Sequence, residues 1–259
     1  VRSTLVRRSV ITASAVSLAL MVTACGSDKA DTKADAKPSE AAATSAAPAG
    51  AKGKTAAELT PLLVTQADLP DYKVEADAAA AAAAKGKPAQ GDKPECQPLI
   101  QLQSYAALGK PVGTAGIAAT SKPKAPAEGA TMDEKLDAAM SGLAVTRTSV
   151  GLNSYDGKGA EEAFTALKTA ATACAGGYTI TAEGEQTKIE KVTVGSPIGG
   201  GDEAISFATV MDLKDGDKAT WQYAVVRKGA TLATFSSMNL TGDAEQPKPV
   251  IEAQAKKLG

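Results

Sequence analysis

Few side chains in this chain can do covalent chemistry, and their positions divide them into two groups. Cysteine occurs three times, at 25, 96 and 174, and histidine does not occur. Cys25 closes the stretch Val22-Thr23-Ala24-Cys25-Gly26, directly after an apolar run over residues 10–22. Ahead of the run stand Arg2, Arg7 and Arg8, and no acidic residue precedes Cys25. A basic start, a short apolar stretch and small residues before a cut describe an export signal, not an element of the fold. The run is also too short for a spanning helix, which takes about 20 apolar residues. Cys96 and Cys174 remain as an even pair, and in an exported chain such a pair reads as a disulfide. Without His there is no Ser-His-Asp triad, no Cys-His nucleophile and no His-based metal site. With Cys96 and Cys174 bridged, no thiolate is left as nucleophile or zinc ligand. The chain is therefore expected to be no enzyme and to carry no cofactor or metal. A carboxylate-based hydrolase is the one mechanism the composition leaves open.

Cys25 and its surroundings resemble the signal of a bacterial lipoprotein. That resemblance implies that residues 1–24 are removed, that the Cys25 thiol receives a diacylglycerol, and that the new amino terminus is often acylated too. The partner so implied is the cell membrane, met through the N-terminal lipid on its outer face. Each buried methylene of such an anchor contributes roughly 0.8 kcal/mol. Arg7-Arg8 before Ser9-Val10-Ile11 fits loosely with twin-arginine export and equally with an ordinary basic start. Three of the 28 basic residues and none of the 29 acidic ones precede Cys25, so the remaining 235 residues carry a formal charge of −4. Nucleic acid is excluded as a partner on this ground, because phosphate binding needs clustered Lys and Arg. An aromatic content of 3% speaks against carbohydrate platforms and base-stacking surfaces.

The positioning elements fall into a tether and a folded part. Residues 25–54 are Ala, Lys, Asp, Ser, Thr, Pro and Gly with almost nothing larger and apolar. Such a segment cannot bury enough surface to offset its ordering entropy, and reads as a disordered tether. Residues 55–259 are expected to form one α+β domain. Leu59, Leu62, Leu63 and Val64 give a short helical or turn-rich entry, ending at Leu69-Pro70. The alanine-rich stretch 76–92 reads as a solvated insertion or frayed helix, and 121–130 as a loop. Pro94 opens a short helix carrying Cys96, Leu99, Ile100 and Leu102. Residues 142–152 alternate as a strand. Ala160, Ala163, Phe164, Leu167, Ala171 and Cys174 fall at helical spacing, with Asp156 as the cap and Gly176-Gly177 as the stop. Strands are then expected over 178–181, 188–194, 203–212, 219–227 and 231–238. The last three form a meander, turned at Lys214-Asp215-Gly216-Asp217 and Lys228-Gly229. Pro249 starts a final amphipathic helix with Ile251, Ala255 and Leu258.

Candidate ligand-binding residues are sparse. Gly199-Gly200-Gly201-Asp202 lacks the Lys-Ser/Thr of a phosphate loop and precedes a strand, so it reads as a permissive loop. Asp202 and Glu203 are expected on opposite faces, one solvated and one at the turn. Trp221 and Tyr223 share one face of their strand; they can line a ligand cleft, though such a pair is more often plain core. Asn239-Leu240-Thr241 matches a glycosylation acceptor that has no evident use here.

Several matches lie in order: the Cys25 motif, the tether, Leu69-Pro70 leading to Tyr72, and Cys96 in a short helix. Val150-Gly151-Leu152-Asn153-Ser154-Tyr155 precedes the helix ending in Cys174, Gly201-Asp202-Glu203-Ala204 opens the meander, and Val225-Val226-Arg227-Lys228-Gly229 lies within it. Together they resemble lipoproteins of high-GC Gram-positive bacteria whose exported domain is similar to the extracellular sensor domain of receptor serine/threonine kinases of the PknH type. The resemblance implies an antiparallel sheet packed by helices around a cleft, with an unidentified small ligand or envelope protein as partner. It departs from the kinase domains in allowing one bridge where two are expected there. Two functions follow. One is a non-catalytic, membrane-tethered, sensor-like binding domain. The other is a lipid or glycolipid carrier, which needs a large apolar hollow.

Overall fold

The structure is a computed structural model and describes residues 50–259 apart from 84–87, 124–125, 142–144, 214–215 and 240–242. The export signal 1–24, Cys25, the tether up to residue 49, Lys85 to Lys87, the start of the strand at 142–144, Lys214-Asp215 and Leu240-Thr241 lie outside the described residues. In chain order the elements are α1 (Ala56–Leu59), β1 (Tyr72–Ala76), α2 (Ala78–Ala83), β2 (Gln90–Gly91), α3 (Gln97–Gln103), β3 (Gly113–Ser121) and α4 (Met132–Ser141). There follow β4 (Thr146–Ser154), α5 (Gly159–Ala173), β5 (Tyr178–Ala182), β6 (Glu185–Val194), β7 (Glu203–Asp212), β8 (Lys218–Lys228), β9 (Thr231–Asn239) and α6 (Lys248–Leu258). The fold is α+β. The nine strands of the described residues form one antiparallel sheet in the order β1-β3-β4-β9-β8-β7-β6-β5-β2. No helix among the described residues is long and apolar enough to cross a membrane.

The meander β7–β8–β9 has the expected strands, because each carries a clean period of two. In register, Ile205, Phe207, Tyr223, Val225 and Leu232 fall on one sheet face, and Ala224, Val226, Ala233 and Phe235 on the other. Strands in mid-sheet are covered on both sides, and these are. The first face packs with Leu99, Leu167, Phe164 and the Cys96–Cys174 bridge. The second packs with Leu59, Val64, Val250 and Ile251. Thus α3 and α5 cover one face, and α1 and α6 the other. The imperfect alternation of β6 comes from a bulge between Ile189 and Lys191, which shifts the register by one residue.

The helix ends show where local signals were redirected. Thr55 caps α1 in a reciprocal box with Glu58, as a Thr-x-x-Glu start should. Asp156 does not cap α5; Lys158 occupies that position with no side-chain bond. The Asp156 carboxylate instead accepts the Gly53 N–H at 2.8 Å, while Ser154 Oγ accepts the Lys54 N–H at 2.9 Å and Gly157 N–H donates to Ala51 at 2.8 Å. Residues 51–54, expected as free tether, are therefore docked on the domain. Gly177, at φ 81°, ends the α5 turn, the left-handed conformation that favours glycine there. On α6 the buried side includes Gln254, whose amide accepts from Val64 N–H at 3.1 Å and donates to Leu62 carbonyl at 2.8 Å. A buried polar side chain with both ends paired ties the first turn of the domain to its last helix.

Strands β1, β2 and β3 and helix α4 have no counterpart in the sequence reading. Strand β1 is an edge, and edges invite pairing with other chains. Gln66 covers it: its amide donates to Leu69 and Tyr72 carbonyls at 3.1 and 2.7 Å, and its Oε1 accepts the Val74 N–H at 3.1 Å. The side chain imitates a neighbouring strand. Gln66→Ala is expected to speed amide exchange at Val74 and to raise the aggregation rate in concentrated solution. Unchanged exchange at Val74 would contradict this role.

Candidate functional site

Helices α3 and α5 do not reach across the whole of their sheet face. Over β3, β4 and the near part of β9 the face is open, and a cleft of about 530 Å³ lies there. Its floor is set by register: Thr114, Gly116, Ser149, Gly151, Asn153, Thr234 and Ser236 all point to this side. Leu102, Tyr105, Ala106 and Ala107 form one wall, and Asp77, Ala80 and Pro88 another. The floor is thus hydroxyl, amide and glycine, and the walls are largely apolar. A volume in this range suits a small ligand.

Tyr105 stands in the wall at some backbone cost. Helix α3 ends in a Schellman arrangement, with Ala106 N–H donating to Gln101 carbonyl at 2.8 Å and Tyr105 N–H to Leu102 carbonyl at 3.2 Å. The left-handed position in this motif is normally Gly or Asn, but here it is Tyr105 at φ 55°. Bulky residues held there cost on the order of 1–3 kcal/mol, and such strain clusters at functional sites. The ring is kept in place by Trp221, with centroids 6.5 Å apart, and its hydroxyl meets Met238 Sδ at 3.8 Å.

Asp77 supplies the charge. It is buried, and its Oδ1 accepts from Arg147 Nη2 at 2.8 Å and from the Ala79 and Ala80 amides at 3.1 and 3.2 Å, capping α2. Arg147 also donates to Ser149 Oγ at 3.0 Å. Burial by itself pushes the Asp77 carboxyl up, but the Arg147 guanidinium, the neighbouring Ser149 hydroxyl and the Ala80 amide outweigh it and hold it below the ordinary range. A carboxyl lowered on folding stabilises the fold above its unfolded pKa, and the contribution is lost as pH falls through the folded value. Asp77→Asn is therefore expected to flatten the loss of thermal stability as pH drops below about 4, the ordinary aspartate range. Thermal melts at stepped pH check this; parallel curves for the two proteins would refute it.

The candidates named from sequence lie elsewhere. Tyr223 is fully buried and stacked on Phe207 with centroids 5.0 Å apart. Trp221 packs half-buried against the same core, 6.4 Å from Tyr223. Neither lines the cleft, so their shared face is core. Asp202 and Glu203 are not divided between solvent and turn: both reach Arg227. The fully buried guanidinium donates from Nε to Glu203 at 2.6 Å and from Nη1 to Asp202 at 3.3 Å. Glu203 and Arg227 are cross-strand partners. Asp202 precedes the strand, after Gly200 and Gly201 at φ 105° and 67°, so strand alternation does not govern its side chain. It also accepts Gly229 N–H at 2.7 Å, closing the β8–β9 turn. Cys96 and Cys174 form the expected disulfide, with Cα atoms 5.9 Å apart, inside the bonded range. Sequence reasoning missed Asp77, Tyr105, Ser149 and Asn153. The single local signal was the Ser-Tyr-Ala end of α3, where a glycine stop would be usual.

No protein-family model and no curated protein matches the chain. Among solved structures it is similar to the extracellular domain of PknH from Mycobacterium tuberculosis, at 15% identity and a TM-score of 0.43 over 80% of this chain and 96% of that one. It is also similar to a putative uncharacterized protein, a Rv0999 ortholog, from Mycobacterium smegmatis, at 11% identity and a TM-score of 0.32 over 83% of this chain and 99% of that one.

Proposed function

We propose that this protein is a non-catalytic recognition domain of the cell envelope, held at the outer face of the membrane by a lipid on Cys25 and binding a small ligand in the β3–β4–β9 cleft. The observation that carries the proposal is the cleft itself: a polar floor between apolar walls, with a tyrosine kept in it at the expense of backbone strain. Asp77 Oδ2 is buried without a hydrogen-bond partner among the described residues, an uncompensated polar atom of a kind that functional sites retain. The disulfide fits an oxidising, exported setting, and the tether gives the domain reach from its anchor. Of the described residues lining the cleft, Asp77 is the one carboxylate. Hydrolysis by two opposed carboxyl groups would need a second. An acyl chain laid on the floor would strand the Asn153 amide, at about 1–3 kcal/mol for a polar group left unpaired, whereas Ser149 and Ser236 keep their bonds to Arg147 and to the Leu102 carbonyl. The floor therefore favours a ligand with a polar side over the long-chain cargo of a carrier.

Native mass spectrometry of the full-length protein, purified with its anchor from its own envelope, tests the reading. A mass increment of acyl groups on Cys25 and a retained polar small molecule are expected. The molecule should be absent from Asn153→Leu and Ser236→Leu, which fill the floor with methyl groups. A retained long-chain glycolipid would establish the carrier instead, and turnover of a wall glycan would make the protein an enzyme. An unmodified chain released into the medium would remove the anchor from the proposal.

A further inference from the structure

Helix α4 is built into the connection between β3 and β4. Thr131 caps it, with Glu134 N–H donating to Thr131 Oγ1 at 3.3 Å and Glu134 accepting the Thr131 N–H at 2.6 Å. The helix thus has its own start signal and does not depend on packing for it. Six large apolar side chains stand exposed among the described residues, and three of them are on this helix: Met132 at 80%, Leu136 at 60% and Met140 at 61%. Their spacing of four places them along a single stripe. Ala138 is the one residue of 132–140 that is half-buried, and it lies on the far side of the helix from Leu136, about 160° round at 100° per residue. The body of the protein is therefore behind the helix, and the stripe faces outward. A soluble surface normally scatters its apolar residues singly; a contiguous row marks a contact surface.

Charge selects the occupant. Asp133 and Asp137 flank the stripe on the Met140 side, and Lys135 flanks it on the other. The acidic edge opposes docking on an anionic lipid surface, which attracts basic helices. A second copy is a poor fit as well, because three side chains on a helix of about 15 Å fall far short of the roughly 800 Å² per partner of a stable interface. A groove that encloses the helix from both sides recovers more area from the same residues, and such grooves read anchors one turn apart. We propose that α4 is a docking helix for an envelope protein that offers an apolar groove with Lys or Arg along one rim: Met132, Leu136 and Met140 enter the groove, and Asp133 and Asp137 face the basic rim. This surface is separate from the cleft and stands or falls independently of it.

The test uses the full chain in its own cells, carrying a benzophenone amino acid in place of Leu136, Met140 or, as the rear-facing control, Glu134. One protein should be crosslinked from 136 and 140 and not from 134. The purified partner should bind the purified chain with an affinity that falls about tenfold or more in Leu136→Asp, as for a central anchor, and falls as salt is raised. Asp133→Lys with Asp137→Lys should weaken binding while leaving the melting temperature of the free chain unchanged. Crosslinks to copies of this chain only, to lipid only, or equally from 134 and 136 would overturn the proposal. So would the absence of any crosslinked protein, or binding indifferent to the charge reversal.

Discussion

Arg227→Met is expected to destabilise the domain by about 3–5 kcal/mol, the usual cost of removing one member of a buried ion pair. The guanidinium is fully buried and joins three parts of the fold: Glu203 on β7, Asp202 before it, and the Gly229 carbonyl at 3.2 Å in the β8–β9 turn. Removing it takes the guanidinium away from both carboxylates at the end of the meander on which the rest of the sheet pairs, and leaves Asp202 with the Gly229 N–H at 2.7 Å and the Lys228 ammonium at 3.8 Å. For a domain of this size the melting temperature should fall on the order of 10 °C. Methionine preserves most of the side-chain volume, so the loss reports charge and hydrogen bonding more than a cavity. Glu203→Gln in the same chain should restore part of the stability by removing one stranded charge, although it destabilises the wild-type protein. A fall no larger than that of a surface substitution, or double-variant losses that simply add, would show that the three side chains do not act together.

Cys96→Ala with Cys174→Ala should be the second large effect, at about 4 kcal/mol. The bridge closes a separation of 78 residues, and in the chain-entropy model a loop of this length removes roughly that much freedom from the unfolded state. It also joins the turn before α3 to the end of α5 at the centre of one core layer, where both sulfurs are buried. α3 carries Tyr105 at its C-terminal end, so the cleft wall depends on the bridge for its position. Urea denaturation of the two proteins should give a lower midpoint for the variant. Reductant should shift the midpoint of the wild type toward it and leave the variant unmoved. If reductant leaves both unmoved under denaturing conditions, the stabilisation does not come from the bridge.

The elements legible in the amino-acid order are those whose pattern is complete within one segment. Strand β7 carries Ile205, Phe207 and Met211 at period two, β8 carries Trp221, Tyr223 and Val225, and α5 carries Ala160, Ala163, Phe164 and Leu167 at helical spacing before two glycines. The pairing of Cys96 with Cys174 followed from there being only two cysteines after Cys25. Each of these is local periodicity or counting, and neither needs knowledge of a distant neighbour. β3 was illegible for the opposite reason. Its residues are Gly, Thr, Ala and Ser around a single Ile117, because one face floors the cleft and the other lays Ala115, Ile117 and Ala119 against the second core layer. A strand shaped by what lies across from it has no period of its own. The same holds at the sites. Asp202 and Glu203 converge because Arg227, some two dozen residues on, is brought between them by register. Ser149, Asn153 and Ser236 meet because β4 lies between β3 and β9, and Asp77 joins them because β1 pairs with β3. By itself the sequence determined the type of most segments. Tertiary structure alone decided the cleft, the buried ion triad and the outward stripe of α4, since each is a juxtaposition made by sheet register or by the absence of a covering layer.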